Sequence, residues 1–153
     1  MRDVETLKTL RDRLRAAKGY EPDLAAHLVC ATVAPAGSFV TIGPISETHR
    51  VCTGKNADGR DIIWEMWLDW CNHPPTVSTD AALCLVEQAL PEASIEVTVG
   101  AHKEGRRIST AFIRLGDHDI GECWEASNGA RAICAALLTV LIAQSQEAPR
   151  HGE

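Results

Sequence analysis

Residues 127–144 read SNGARAICAALLTVLIAQ. Ser127 stands where an N-cap belongs, Arg131 falls in the first turn, and from Ala132 onward almost every position is apolar. A helix that is apolar on all sides has no face to turn to water, so it belongs inside the protein, packed on a sheet. Immediately upstream, SIEVTVGA (94–101) and RRISTAFIRL (106–115) alternate apolar with polar residues, the period of strands with one buried face. HKEG lies between them, so the two are expected to pair as a hairpin, and DIGECWEA (119–126) supplies a third strand. The expectation is an antiparallel meander around residues 94–124, with the last helix (128–144) against it.

Earlier in the chain, VSTDAALCLVEQALPE predicts a helix over 79–90, capped by Ser78 or Thr79, with Asp80 in its first turn and Pro91 past its end, packed on the same sheet. Leu7, Leu10, Leu14 and Ala17 recur at spacings of three and four before Gly19, which marks a first helix. Pro22 and Asp23 open a second, PDLAAHLVCATVA, ended by Ala34-Pro35-Ala36-Gly37. Residues 38–61 mix Pro, Gly, Asn and Asp with short β-branched pieces, and predict an irregular region holding one hairpin, with NADG (56–59) its clearest turn.

The chain of 153 residues, 45% hydrophobic and 24% charged, has the size of one domain with a real core. There is no run of about 18 apolar residues, and the start MRDVETLKTLRDRLRAAKG is charged and amphipathic; neither secretion nor a membrane span is expected, and the cytoplasm is the expected compartment. The six cysteines are scattered without a close pair, three of them inside apolar runs, so all six are expected as free thiols. A net charge of −6 argues against duplex nucleic acid as a partner.

PPTVSTDAALCLVEQALPE and ECWEASNGARAICAALLTVLIA together resemble the phage ABA sandwich domain, through the Thr-x-Ser-x-Asp-Ala-Ala helix start and the late Cys-Ala-Ala-Leu-Leu helix. The resemblance covers roughly residues 76–143, with weaker support from PDLAAHL. It departs in a long insert between Val51 and Asn72 and in SNGA, where the family often has Thr-Pro. It implies a phage or prophage origin and an α+β fold, an α/β/α sandwich with a central antiparallel sheet and helices on its faces. On that reading, residues 1–146 are one domain with a Trp-rich insert at about 47–72, and 147–153 a flexible tail. It implies no reaction.

Chemistry-bearing residues are few. WEMWLDWCNHPP (64–75) holds three of the four tryptophans, and Ile63, Trp67, Trp70 and Cys71 fit a helical stripe while Ile62, Trp64, Met66, Leu68 and Trp70 alternate like a strand. Either way not every ring faces inward, and the overhang points to core plus a subunit contact, or to stacking on a ligand. Cys71 and His73 have a spacing seldom used for zinc, and no metal or cofactor is expected. Asp117, His118 and Asp119 read as a turn. No phosphate loop, nucleophile elbow or paired-metal signature occurs, so no catalytic residue is assigned and the protein is expected not to be an enzyme. HKEGRR carries Lys103, Arg106 and Arg107 around a hairpin tip, either a solvated turn or an anion clamp. SNGAR, with Ser127 and Arg131, is either a helix cap or a phosphate cradle.

The ligand-binding candidates are therefore Lys103, Arg106, Arg107, Arg60, Ser127 and Arg131 for phosphate, and Trp67 and Trp70 for a base. The expected function, by analogy with small phage proteins, is counter-defence: sequestering a nucleotide-derived immune signal without turnover. The alternatives are a protein–protein inhibitor of a host defence protein, or a structural or accessory phage protein with no ligand. The apolar last helix and the tryptophan insert also predict a homo-oligomer.

Overall fold

The computed structural model describes residues 3–17, 21–44, 46–64, 74–116, 124–126 and 128–147, with backbone alone at 22, 101–103, 106–107 and 124–126. Two helices open the chain: α1 (Val4–Ala16) and α2 (Pro22–Thr32). Asp3 caps α1, its carboxylate accepting from the backbone N–H of Glu5 and Thr6 and from the Thr6 hydroxyl. Leu7, Leu10 and Leu14 are its buried stripe, as the three-and-four spacing predicts. Pro22 occupies the first turn of α2, where its missing N–H costs nothing.

The region expected to be irregular is a second sheet. Strands β1 (Phe39–Ile42), β2 (Arg50–Lys55) and β3 (Asp61–Ile63) form an antiparallel meander in the order β1-β2-β3. Its second turn is NADG: the Asn56 side chain accepts from the N–H of Asp58 and Arg60, both at 3.0 Å, and Gly59 takes a φ of +77° that favours glycine. α2 packs on β1 and β2, and Val51 and Cys52 of β2 are buried.

Helix α3 (Thr79–Ala89) begins as the sequence predicts, with the Ser78 hydroxyl accepting from the Ala81 N–H at 3.2 Å. Strands β4 (Ala93–Lys103), β5 (Arg106–Leu115) and β6 (Trp124–Ala126) form the expected antiparallel meander. The β4–β5 hairpin is tighter than HKEG suggests. Lys103 pairs with Arg106 across a two-residue turn, Glu104-Gly105, both with positive φ, so His102 and Lys103 belong to the strand. The register shifts between Thr98 and Ala101, where Gly100 takes a φ of +76°. One face of the sheet pairs Ile95 with Ile113 and Val97 with Ala111, the face turned to the core; the other pairs Ser94 with Arg114 and Glu96 with Phe112, with the Arg114 guanidinium 5.5 Å from the Phe112 ring centre.

The last helix, α4 (Gly129–Glu147), is the centre of the molecule. It packs on the β4–β6 sheet, on α1 and on α3, and 13 of its 19 residues are buried. Ile133, Leu137, Leu138 and Leu141 are wholly buried, each stabilising the fold by about 1.5–3 kcal/mol. α3 packs chiefly on α4 rather than on the sheet, a departure from the expected layering. By length and composition α4 could cross a membrane, at a mean hydropathy of 1.3, but 72% of that stretch is buried inside the fold, as a core helix is. The fold is thus α+β, with two three-stranded antiparallel sheets among the described residues where the sequence predicts one central sheet. The reason for the difference is local: the short strands of 39–63 carry little alternation of their own and are held by α2 and the Asn56 turn.

Candidate functional site

The structure takes the sequence-derived candidates to different places. Trp67, Trp70 and Ser127 lie outside the described residues, as do Cys71, His73 and the Asp117-His118-Asp119 triplet. Trp64, the first tryptophan of the cluster, is half-buried and packs against the core. Lys103, Arg106 and Arg107 flank the β4–β5 turn by their backbone positions, whereas Arg60 is exposed at the end of the β2–β3 turn, in the other sheet. The described cap at the start of α4 is Asn128, whose side-chain oxygen accepts from the Arg131 N–H at 2.8 Å.

Arg131 itself is only 7% exposed, and its guanidinium donates to the Ala17 carbonyl at 2.5 Å. It therefore reaches across to the end of α1, satisfying a carbonyl that the helix leaves open. The same N–H that would cradle a phosphate is taken by Asn128, and Gly129 is closed over by Val99 and Thr79: a Cβ there would lie 3.0 Å from Val99 Cγ2 and 3.4 Å from Thr79 Oγ1.

The largest described cavity lies beyond that α1 end. An open cleft of about 520 Å³ is lined by Arg13, Ala16 and Ala17 from α1, Glu21 and Asp23 from the start of α2, and Thr48 and Arg50 from the β1–β2 connection. Its charges follow from the helix ends. Basic residues suit the C-terminal turn of α1 and acidic ones the N-terminal turn of α2, where the dipoles favour each. Arg13 faces Glu21 at 3.8 Å, and Arg50 Nε lies 3.3 Å from Asp23 Oδ1. Arg50 Nη1 also donates to the carbonyls of Glu47 (2.7 Å) and His49 (3.1 Å), tying the β1–β2 loop to α2. All four charged side chains are partly exposed. Such pairs contribute about 0–1 kcal/mol each, so an incoming anion that makes charged hydrogen bonds of about 1.5–3 kcal/mol can displace a carboxylate from its arginine. The displaced carboxylates are then free to accept from donors on the same ligand.

Sequence reading missed this cleft, because its residues come from three segments with no common motif. The one legible sign was the switch from RDRLR to EPD across the first interhelix connection. Among the described residues no three His, Cys, Asp or Glu side chains gather as metal ligands. Among the described cysteines, Cys30, Cys52, Cys84 and Cys134 are free thiols. Cys134 is buried and donates to the Pro75 carbonyl at 3.4 Å, and burial pushes its thiol up to about 12.

Comparison with protein families, with curated proteins and with solved structures finds no match to this chain.

Proposed function

We propose that the protein is a binder rather than a catalyst, holding a small nucleotide-type anion in the cleft between α1, α2 and the β1–β2 connection. The observation that carries this reading is the cleft itself: about 520 Å³, with Arg13 and Arg50 set against Glu21 and Asp23 in weak, exchangeable pairs. A volume of that order suits a small ligand. The mixed charge favours one with a phosphate for the arginines and amino or hydroxyl donors for the carboxylates. Base stacking by Trp67 or Trp70, and phosphate contacts by Lys103, Arg106, Arg107 or Arg60, would be additions to this site.

The proposed setting is a phage counter-defence protein of the cytoplasm that sequesters a nucleotide-derived immune signal. Support for the phage origin, and for the layered α/β/α sandwich that goes with it, is the Thr76-x-Ser78-x-Asp80-Ala81-Ala82 helix start and the Cys134-Ala135-Ala136-Leu137-Leu138 core helix. Calorimetric titration of the protein with cyclic dinucleotides and ADP-ribose-type nucleotides tests the binding. Saturable binding that weakens by about 1–3 kcal/mol in Arg13→Ala, with an unchanged fold, supports the cleft; no heat with any of these ligands sinks it.

A second reading, an inhibitor that docks on a host protein, draws on Phe39 and Ile42. They are 58% and 62% exposed on β1, the edge of its sheet, where a partner strand could pair. Homo-oligomerisation is likewise proposed through that edge. α4 no longer argues for it, since its apolar surface is covered within the chain.

A further inference from the structure

The charged cleft does not end at Arg13. Helices α1 and α2 lie antiparallel: Glu21 and Asp23 stand by the end of α1, His27 by Thr9 and Leu10, and Ala31 and Ala34 by Leu7 and Asp3. α1 packs chiefly on α4 and more lightly on α2, so the seam between the two helices is left as a furrow. The middle of the seam is an opening of about 350 Å³, lined by Asp3, Thr6, Thr9, Arg13 and His27 among others. Beyond it lies a recess, also of about 350 Å³, where Asp3 and Thr6 face Ala31, Ala34, Ala36 and Gly37. Arg13 borders both the cleft and the middle opening, and Asp3 and Thr6 border both the middle opening and the recess. The three spaces thus form one groove along α1. From Arg13 back to Asp3 it runs about 15 Å, at a helical rise of about 1.5 Å per residue.

The groove changes in charge from one end to the other. Arg13 and Arg50 stand at the cleft end, each in a weak pair with a carboxylate. The Thr9 hydroxyl and the exposed His27 ring line the middle. At the far end the charged group is the Asp3 carboxylate, and no basic side chain lines the recess among the described residues. Asp3 Oδ2 accepts from the Thr6 N–H and hydroxyl, whereas Oδ1 takes one bond, from the Glu5 N–H, which leaves it room to accept a second. Opposite Asp3 the wall is made of alanine methyl groups, an apolar surface beside one fixed acceptor.

Resting on the cleft as an anion site, we infer that the whole groove holds a linear ligand of two nucleotide units, with a terminal phosphate on Arg13 and Arg50 and the second base in the recess. The arginines at one end alone place the terminal phosphate there. The phosphate that links the two units lies beside Arg13 and His27, which offer N–H donors. The second base sets its face on the alanine wall and donates its exocyclic amino group to Asp3, a hydrogen bond strengthened by the charge of its acceptor. A single nucleotide held by its phosphate in the cleft stops short of the recess. A cyclic dinucleotide closes both phosphates into one compact ring, so it cannot set a phosphate at one end of the groove and a base at the other.

The probes are AMP, the linear 5′-phosphorylated diadenylate pApA and cyclic di-AMP, titrated calorimetrically into the full chain at neutral pH. pApA is expected to bind about tenfold or more tightly than either of the others, because its second unit adds contacts to an anchored first. Ala36 is exposed on the recess wall, and Ala36→Phe, which fills the recess, is expected to abolish the advantage of pApA over AMP. Asp3→Asn keeps a good helix cap while removing the charge, and is expected to reduce that advantage several-fold. If pApA binds no more tightly than AMP while AMP binding still weakens in Arg13→Ala, the groove is overturned and the cleft stands. Binding by none of the three probes overturns both. Tighter binding of cyclic di-AMP, or a pApA advantage that survives both groove variants, overturns the inference as well. Should a variant fold poorly, the comparison of pApA with AMP on the wild type decides.

Discussion

Replacing Arg131 by Ala separates a structural arginine from a ligand clamp. The side chain is 7% exposed and gives one short charged hydrogen bond to the Ala17 carbonyl. Removing that donor leaves the carbonyl at the end of α1 without it, a loss of about 1.5–3 kcal/mol for a hydrogen bond involving a charged group. Truncating the buried hydrocarbon stem removes packing as well, by about 1 kcal/mol. The sum is about 3 kcal/mol, and for a chain of this length each kcal/mol lowers Tm by about 2–4 °C, so a fall of about 6–12 °C is expected. Arg131→Lys should fall between the two, because an ammonium keeps the charge but cannot reproduce the planar fork. Thermal unfolding followed by circular dichroism is the assay. If Tm moves by less than about 1 °C while nucleotide affinity collapses, Arg131 is a ligand residue after all and its placement at the α1 end is wrong.

Gly54→Ala should destabilise by about 1–3 kcal/mol, read as a lower urea midpoint, because a Cβ there would sit 3.0 Å from Ser38 Cβ and 3.3 Å from its Cα, against backbone that cannot swing away. An unchanged midpoint would mean that β1 and β2 are not so closely apposed. Leu137→Ala, at the wholly buried centre of α4, should cost about 2–5 kcal/mol; a cost under about 1 would place α4 at the surface. The Cys134 thiol, raised by burial from 9.0 to about 12, makes stability depend on alkaline pH. Below about pH 9 the thiol is protonated in both folded and unfolded chains and its contribution is fully present. As pH rises from 9 towards 12 the unfolded chain alone loses the proton, and stability falls by up to about 4 kcal/mol at about 1.4 kcal/mol per pH unit. Urea midpoints measured from pH 8 to 11 should decline more steeply in the wild type than in Cys134→Ala, and parallel curves would remove Cys134 as the cause.

The elements that sequence made legible are those whose signal is repeated within one segment. The three-and-four spacing of Leu7, Leu10 and Leu14 marks α1, the alternation of RRISTAFIRL marks β5, and Ser78 before Asp80-Ala81-Ala82 marks the start of α3. The β1–β3 meander escaped because β1 and β3 are four and three residues long, too short to show a period against the turn residues around them. The β4–β5 turn was misjudged for a different reason. A two-residue turn with positive φ at both positions favours Asn or Gly first, and here Glu104 takes a φ of +52°.

Function was less legible than fold because its residues act across segments. In sequence, an arginine four positions after a serine at a helix start has the look of an anion cradle. In the fold the cradle is full: Asn128 holds the Arg131 N–H, Val99 and Thr79 crowd Gly129, and the guanidinium is spent on α1. What remains open to chemistry gathers instead around α2. Its start lends Glu21 and Asp23 to the charged cleft, and its last turn lends Cys30 to a recess walled by Ala31, Ala34 and Gly37. Neither end is exceptional by composition, since an acidic first turn serves the helix dipole and a cysteine in an apolar run serves the core. The first acquires its partner only when β2 is laid against the helix, bringing Arg50 to Asp23. Arg50 and Cys52 stand two residues apart on β2 and so share a face, which is how the strand that lends Arg50 to the cleft also sends Cys52 into the core.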